Sequence, residues 1–261
     1  MTIFELEAVG GPWARRLGTR RALIDELAWN ETAGDVSSEA AERARVVWTQ
    51  SAFSEIASAA AFAQIASALL AAAAPIDLVA ACGDFVADEI VHAELSARVA
   101  NALGGAVALD VDLAKLVRPA TEGSPLLRAA ELVLRTSCIG EALTVPILKR
   151  AREQSGSPVI EAVLARIIAD ESAHAELGSW FLDWAEPRLD ESDRAHLGAV
   201  ARAALESFAP VFSAPCTLHA SLGVMDCATF DEAFAQAVER RVVQPLAARG
   251  IDARPRVAPT G

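Results

Sequence analysis

The octapeptide pattern Asp-Glu-x-x-His-Ala-Glu-Leu occurs twice in this chain, as Asp88–Leu95 and as Asp170–Leu177. Each copy holds a Glu-x-x-His pair: Glu89 with His92, and Glu171 with His174. On a helix, residues three apart share a face, so each copy offers a carboxylate oxygen and an imidazole nitrogen to one point. Two such helices facing each other, with one Glu from each of two more, make the ligand set of a di-metal site inside a four-helix bundle. The chain has only four histidines, and two of them sit in these repeats. The repeat therefore predicts an all-α fold built from two similar halves.

The rest of the sequence agrees with that layout. Hydrophobic residues make up 53%, only 5% of the chain is aromatic, and the apolar stretches are dominated by Ala, which favours helix. No segment alternates like a strand. A first long helix is expected from Glu39 to Ala73, ended by Pro75, and a second from an N-cap at Asp77 to Leu103, stopped by Gly104-Gly105. Residues 104–123 read as a connection without a long helix. Ser124-Pro125 and Ser157-Pro158 each read as N-cap and N1 of a helix, the third ending near Gly156 and the fourth before Pro187. Four helices of about 25 to 30 residues span roughly 38 to 45 Å. Short links within each pair and a long one between the pairs give hairpin, crossover, hairpin. Residues 1–40 read as an N-terminal extension with a short helix near Arg20–Ala28, and 41–188 as the bundle. Residues 189–250 read as additional helices packed on it. Of these, one covers Glu191–Phe208 and one starts with a capping box of Thr229 and Glu232. Residues 251–261 read as a flexible tail.

A net charge of −12 and the lack of a basic stripe argue against nucleic acid. Arg15-Arg16, Arg20-Arg21 and Arg240-Arg241 are short clusters flanked by acids, and read as solvated faces or local salt bridges. The N-terminus lacks a basic-then-apolar leader. The Ala-rich run Ile56–Ala74 is interrupted by Gln64 and serines and reads as a buried helix, so no membrane is expected. Cys82, Cys138, Cys216 and Cys227 show neither zinc-knuckle nor disulfide-framework spacing, which points to a reducing cytoplasm.

If the metal site is real, the first and third helices must each supply a carboxylate. The candidates are Glu55 and Glu141, each a lone acid in an apolar stretch. An unpaired buried carboxylate costs several kcal/mol or is neutralised by a raised pKa, and a metal ion is a natural partner. The alternative for each is a buried acid bonded to a hydroxyl or an Arg. Glu55 precedes Glu89 by 34 residues and Glu141 precedes Glu171 by 30, a matching order in both halves. Four carboxylates and two imidazoles suit a pair of first-row ions, iron first and manganese second; the set is too nitrogen-rich for calcium and lacks thiolates for structural zinc. Asp88 and Asp170, four residues before the histidines of their own helices, are candidates to orient those imidazoles, or else ordinary solvent-facing acids. Thr144 and Ser58 lie one turn after Glu141 and Glu55. Each hydroxyl is a candidate donor to bound oxygen, Thr144 being the catalytic candidate; the alternative is back-bonding to a carbonyl one turn earlier. Pro146 should kink the third helix beside the metals.

On Glu55, Glu89-Ile90-Val91-His92, Glu141 and Glu171-Ser172-Ala173-His174, residues 45–186 resemble the ferritin-like superfamily of di-iron carboxylate proteins. The resemblance implies a ferritin-like four-helix bundle and a bridged centre of two iron ions that activates oxygen or peroxide. The resemblance does not choose a substrate; the leading expectation is an oxidase or oxygenase acting on a small organic substrate, with an external electron donor, since no flavin or nicotinamide motif is visible. A homodimer is compatible with it. The chain has no Tyr, which excludes the tyrosyl radical of a typical ribonucleotide reductase small subunit, and no rubredoxin-like Cys module. A ferroxidase, a peroxide-handling protein such as a di-manganese catalase, and a metal-stabilised scaffold without turnover remain open alternatives.

Overall fold

Local signals set the helix starts. Ser37, Ser124 and Ser157 each accept a hydrogen bond from a backbone N–H three residues on, and Pro125 and Pro158 follow as first helical residues. The computed structural model describes residues 2–20, 26–33, 36–119, 123–208 and 221–254. Within these the protein is all-α, apart from one two-stranded antiparallel ladder in which β1 (Thr2–Ile3) pairs with β2 (Asp110–Val111).

A short helix α1 (Gly11–Gly18) precedes the long ones. Helices α2 (Ser38–Ala71) and α3 (Ile76–Ala102) form the first hairpin. The second has a composite rod: α4 (Pro125–Val133), a π-helical stretch Leu134–Glu141, and α5 (Ala142–Glu153). It packs on α6 (Pro158–Ala185). The hairpins meet through α2 with α4 and α3 with α6. Beyond them lie α7 (Glu191–Glu206), α8 (Cys227–Ala237), a second π-helical stretch Val238–Val243, and α9 (Gln244–Ala247). By length and composition alone, α2 could cross a membrane; its Trp48, Phe62, Ile65 and Leu69 are buried within the protein.

The core is divided. One apolar cluster gathers Phe62, Phe85, Ile139 and Phe181; the other gathers Trp48, Leu95, Val99 and Ile167. Along α2, α3 and α6 the switch between clusters falls where the carboxylates and imidazoles lie, so a polar layer separates two hydrophobic cores. Trp48 is fixed from outside the hairpins, its indole N–H donating to the Leu222 carbonyl at 2.8 Å. Gly223 has φ +79°, and a Cβ there would approach the Trp48 ring to 2.8 Å.

Several expectations need correction. Helix α3 is capped at Pro75 rather than Asp77, and α8 at Asp226, whose side chain accepts from the Thr229 N–H. The short N-terminal helix lies before Arg20; residues 21–25 of its expected span lie outside the described residues. The connection after α3 holds a strand, too short to show alternation. Chain packing continues past residue 250, because Ile251 and Ala253 are buried; the rest of the expected tail lies outside the described residues. Cys227 is disulfide-bonded, against the expectation of no disulfide, while Cys82 and Cys138 are free and buried.

Candidate metal centre

The two hairpins bring all six expected ligands together. Glu55, Glu89, His92 and Glu171 form one group, and Glu89, Glu141, Glu171 and His174 a second. In each, one ligand atom per residue lies within 4.8 Å of the others. Glu89 and Glu171 belong to both groups, so the Glu of each repeat stands between the two. Glu89, His92 and His174 are fully buried, and Glu171 and Glu141 nearly so. Glu55 is half-buried and is the least enclosed of the six.

Each imidazole turns Nδ1 inward. His92 Nδ1 lies 3.2 Å from Glu171 Oε1 and 3.6 Å from Glu89 Oε2, and His174 Nδ1 lies 3.1 Å from Glu89 Oε1 and 3.0 Å from Glu171 Oε2. Only the last contact has hydrogen-bond direction. His92 Nδ1 and both oxygens of Glu89 are buried with no hydrogen-bond partner. Buried polar atoms are nearly always paired, and orphans that converge on one point are what a cation would satisfy. The donor set therefore fits a bound metal.

The outward nitrogens meet the opposite hairpin. His92 Nε2 lies 3.0 Å from Asp170 Oδ2, and His174 Nε2 lies 3.7 Å from Asp88 Oδ2. Each Asp thus faces the histidine of the other repeat, not its own. The same-face reasoning placed both groups correctly on their helices but missed that the rings point across the bundle. Both Asp residues carry an Arg. Asp170 accepts from Arg166 Nε at 2.8 Å, four residues earlier on α6. The equivalent position on α3 is Asp84, and Arg20 from the N-terminal segment bridges Asp84 and Asp88, each at 2.6 Å. Arg166 was legible from its spacing to Asp170. Arg20, 68 residues before Asp88 in the chain, carries no local signal.

Hydroxyls differ between the halves. Ser58 Oγ donates to Glu141 Oε1 at 3.3 Å, whereas Thr144 Oγ1 donates to the Gly140 carbonyl at 3.0 Å. The Thr144 hydroxyl is thus held by its own helix. The irregularity in this helix lies upstream of Pro146, in the π-helical stretch ending at Glu141; such turns are frequent at functional sites.

Packing these groups together shifts their ionisation. Burial pushes Glu55 and Glu141 well above the carboxylate range, reinforced by the other carboxylates. Burial disfavours imidazolium at His92 and His174, but the carboxylates of Asp170, Asp88, Glu171 and Glu89 around them outweigh it, raising His92 well above its usual value and His174 to about 11. Burial opposes charge on Glu171, yet the two imidazoles hold it below the usual carboxylate range.

Comparison with known proteins finds no matching family model, no matching curated protein and no matching solved structure.

Proposed function

We propose that the cluster is a di-metal centre and that the bundle is ferritin-like, with iron the preferred metal and manganese the alternative. The observation that carries this reading is the pair of interlocked donor groups sharing Glu89 and Glu171. Glu55 and His92 would complete one ion's set, Glu141 and His174 the other's. Two divalent ions balance four carboxylates, so the buried layer can be neutral overall. When bound, such a pair supplies redox chemistry toward oxygen, with which a C–H or N–H bond of a small organic substrate is oxidised; an external donor returns the electrons. The protein's own groups orient and exclude. Asp170 fixes the His92 ring, Asp88 faces that of His174, Ser58 steadies Glu141, and Phe62 and Phe85 shield His174, with ring centroids at 5.2 and 4.3 Å. Glu55, the least enclosed ligand, marks the side from which a small molecule approaches. Thr144 would act on the reacting molecule only after its hydroxyl leaves the Gly140 carbonyl. The reading carries with it a protein acting without nucleic acid or membrane; the disulfide at Cys227 removes the support that the cysteine spacing gave for a reducing cytoplasm.

The near-complete burial of five ligands favours a second reading, in which oxidant alone turns over: a ferroxidase, or a peroxide-handling site including the di-manganese kind. One experiment separates the two. The protein is loaded anaerobically with ferrous iron or manganous ion, then exposed to oxygen or hydrogen peroxide. Oxygen uptake that needs an added reductant and rises with an organic substrate supports the oxygenase. Catalytic oxidation of ferrous iron, or oxygen release from peroxide, supports the second reading. No reaction of the loaded protein with either oxidant would overturn both and leave the metal a structural element.

A further inference from the structure

Arg240 and Arg241 are exposed, as a solvated pair would be, and they share one concavity. They line a cleft of about 340 Å³ on the outer face of the second hairpin, between α5, α6 and the second π-helical stretch. Lys149 from α5 lines it as well. Among the described residues none of the three has a carboxylate partner, in a chain whose net charge is −12. The nearby Arg249, by contrast, is held by Asp183 at 2.6 Å and Glu186 at 3.2 Å. The local backbone explains the pairing of the arginines. A π-helical turn is wider than an α turn, so consecutive side chains project at a smaller angle and can serve one space. A smaller cavity of about 50 Å³ adjoins the first, shares Ala142, Ser179, Arg241 and Pro245 with it, and reaches inward to Cys138, one turn before Glu141.

We propose that this cleft binds a small multivalent anion carrying carboxylate or phosphate groups. Three cations surround one concavity whose lining holds a single acid, Glu176, which leaves an excess of positive charge for an anion to balance while it matches the forked guanidinium donors. The volume lies at the lower end of small-molecule sites. Glu176, Ser172 and Ser179 also line the cleft and supply acceptors, which suits hydroxyl groups on the same molecule. Ala142 and Ser172 directly follow Glu141 and Glu171, so the occupant sits behind two members of the acidic cluster. The inference stands on the cleft alone and does not require the metal.

The test is calorimetric titration of the full-length protein with inorganic phosphate and, separately, with succinate, at low ionic strength. Saturable 1:1 binding of either is expected, weakened about tenfold or more in the Arg240→Ala/Arg241→Ala variant and less in Lys149→Ala. Arg150→Ala, which removes the same charge outside the cleft, should leave it within about twofold. Which anion binds identifies the class. The three side chains are exposed, so the variants should fold, and circular dichroism checks that. No saturable binding of either anion, or equal weakening by Arg150→Ala, overturns the proposal; a failed metal site leaves this result untouched.

Discussion

The first hairpin and the second carry the same octapeptide, yet they hold it differently. In the first, α2 and α3 are regular α-helices, Glu55 is half-buried, and the Arg that braces Asp88 comes from a separate segment. In the second, a π-helical stretch delivers a nearly fully buried Glu141, and Arg166 braces Asp170 from its own helix. The contact to the opposite histidine follows suit: Asp170 is hydrogen-bonded to His92 at 3.0 Å, whereas Asp88 stands 3.7 Å from His174, beyond hydrogen-bond reach. A duplicated motif thus fixes which atoms meet, while the surroundings decide how closely. The second half encloses its carboxylate more fully and holds the opposite histidine more closely.

The largest effect should come from breaking the shared positions. Glu89→Gln or Glu171→Gln should each abolish binding of both ions, because each residue serves both groups. Glu55→Gln and Glu141→Gln should each lose one ion. Elemental analysis of the purified variants decides this; one ion retained in Glu89→Gln would show that the groups are not interlocked. Next come the braces. Asp170→Asn should weaken metal binding about 10–100-fold, and Asp88→Asn less, since its contact is longer. Competition with a coloured chelator measures the order, and a reversed order would break the claim that the second half holds the opposite histidine more closely.

Packing should show the same contrast at smaller scale. Gly178 on α6 lets the π-helical stretch approach closely; an added Cβ would lie 2.6 Å from Cys138 Sγ and 3.1 Å from its N. Gly178→Ala should therefore cost about 1–3 kcal/mol. Gly83 on α3 has nothing within 4 Å of an added Cβ, so Gly83→Ala should stabilise by about 0.5–1 kcal/mol through helix propensity. Urea unfolding reads both, and equal signs would remove the distinction. The smallest difference is expected at the thiols. Burial pushes Cys82 and Cys138 up to about 12, so at pH 8 only about 10⁻⁴ of each is thiolate. Neither should react with iodoacetamide in the folded protein, and both should on unfolding. Fast labelling of Cys138 alone would show that the second half opens first.

The sequence made the site legible because its signals are local. Glu-x-x-His depends on one helical turn, and lone acids in apolar runs mark Glu55 and Glu141. Ser-Pro pairs set two helix starts to the residue. What escaped depends on long-range placement. The crossing of Asp170 to His92 requires knowing how the hairpins face each other. Arg20 reaches Asp88 from the N-terminal segment, and the two-residue strands pair across more than a hundred residues. The π-helical stretch escaped for another reason: Leu134–Glu141 looks like any helix, and Pro146 drew attention downstream of it. Thr144 and Ser58 were indistinguishable by spacing, and only the structure shows that Ser58 reaches the cluster.

The central claim is that one buried layer binds two metal ions. The most direct measurement is metal content of protein purified from cells supplemented with iron and manganese, beside Glu89→Gln. About two equivalents of iron, or of manganese, per chain, absent from the variant, is the predicted result. No stoichiometric metal, even after anaerobic reconstitution with ferrous ion, would contradict it.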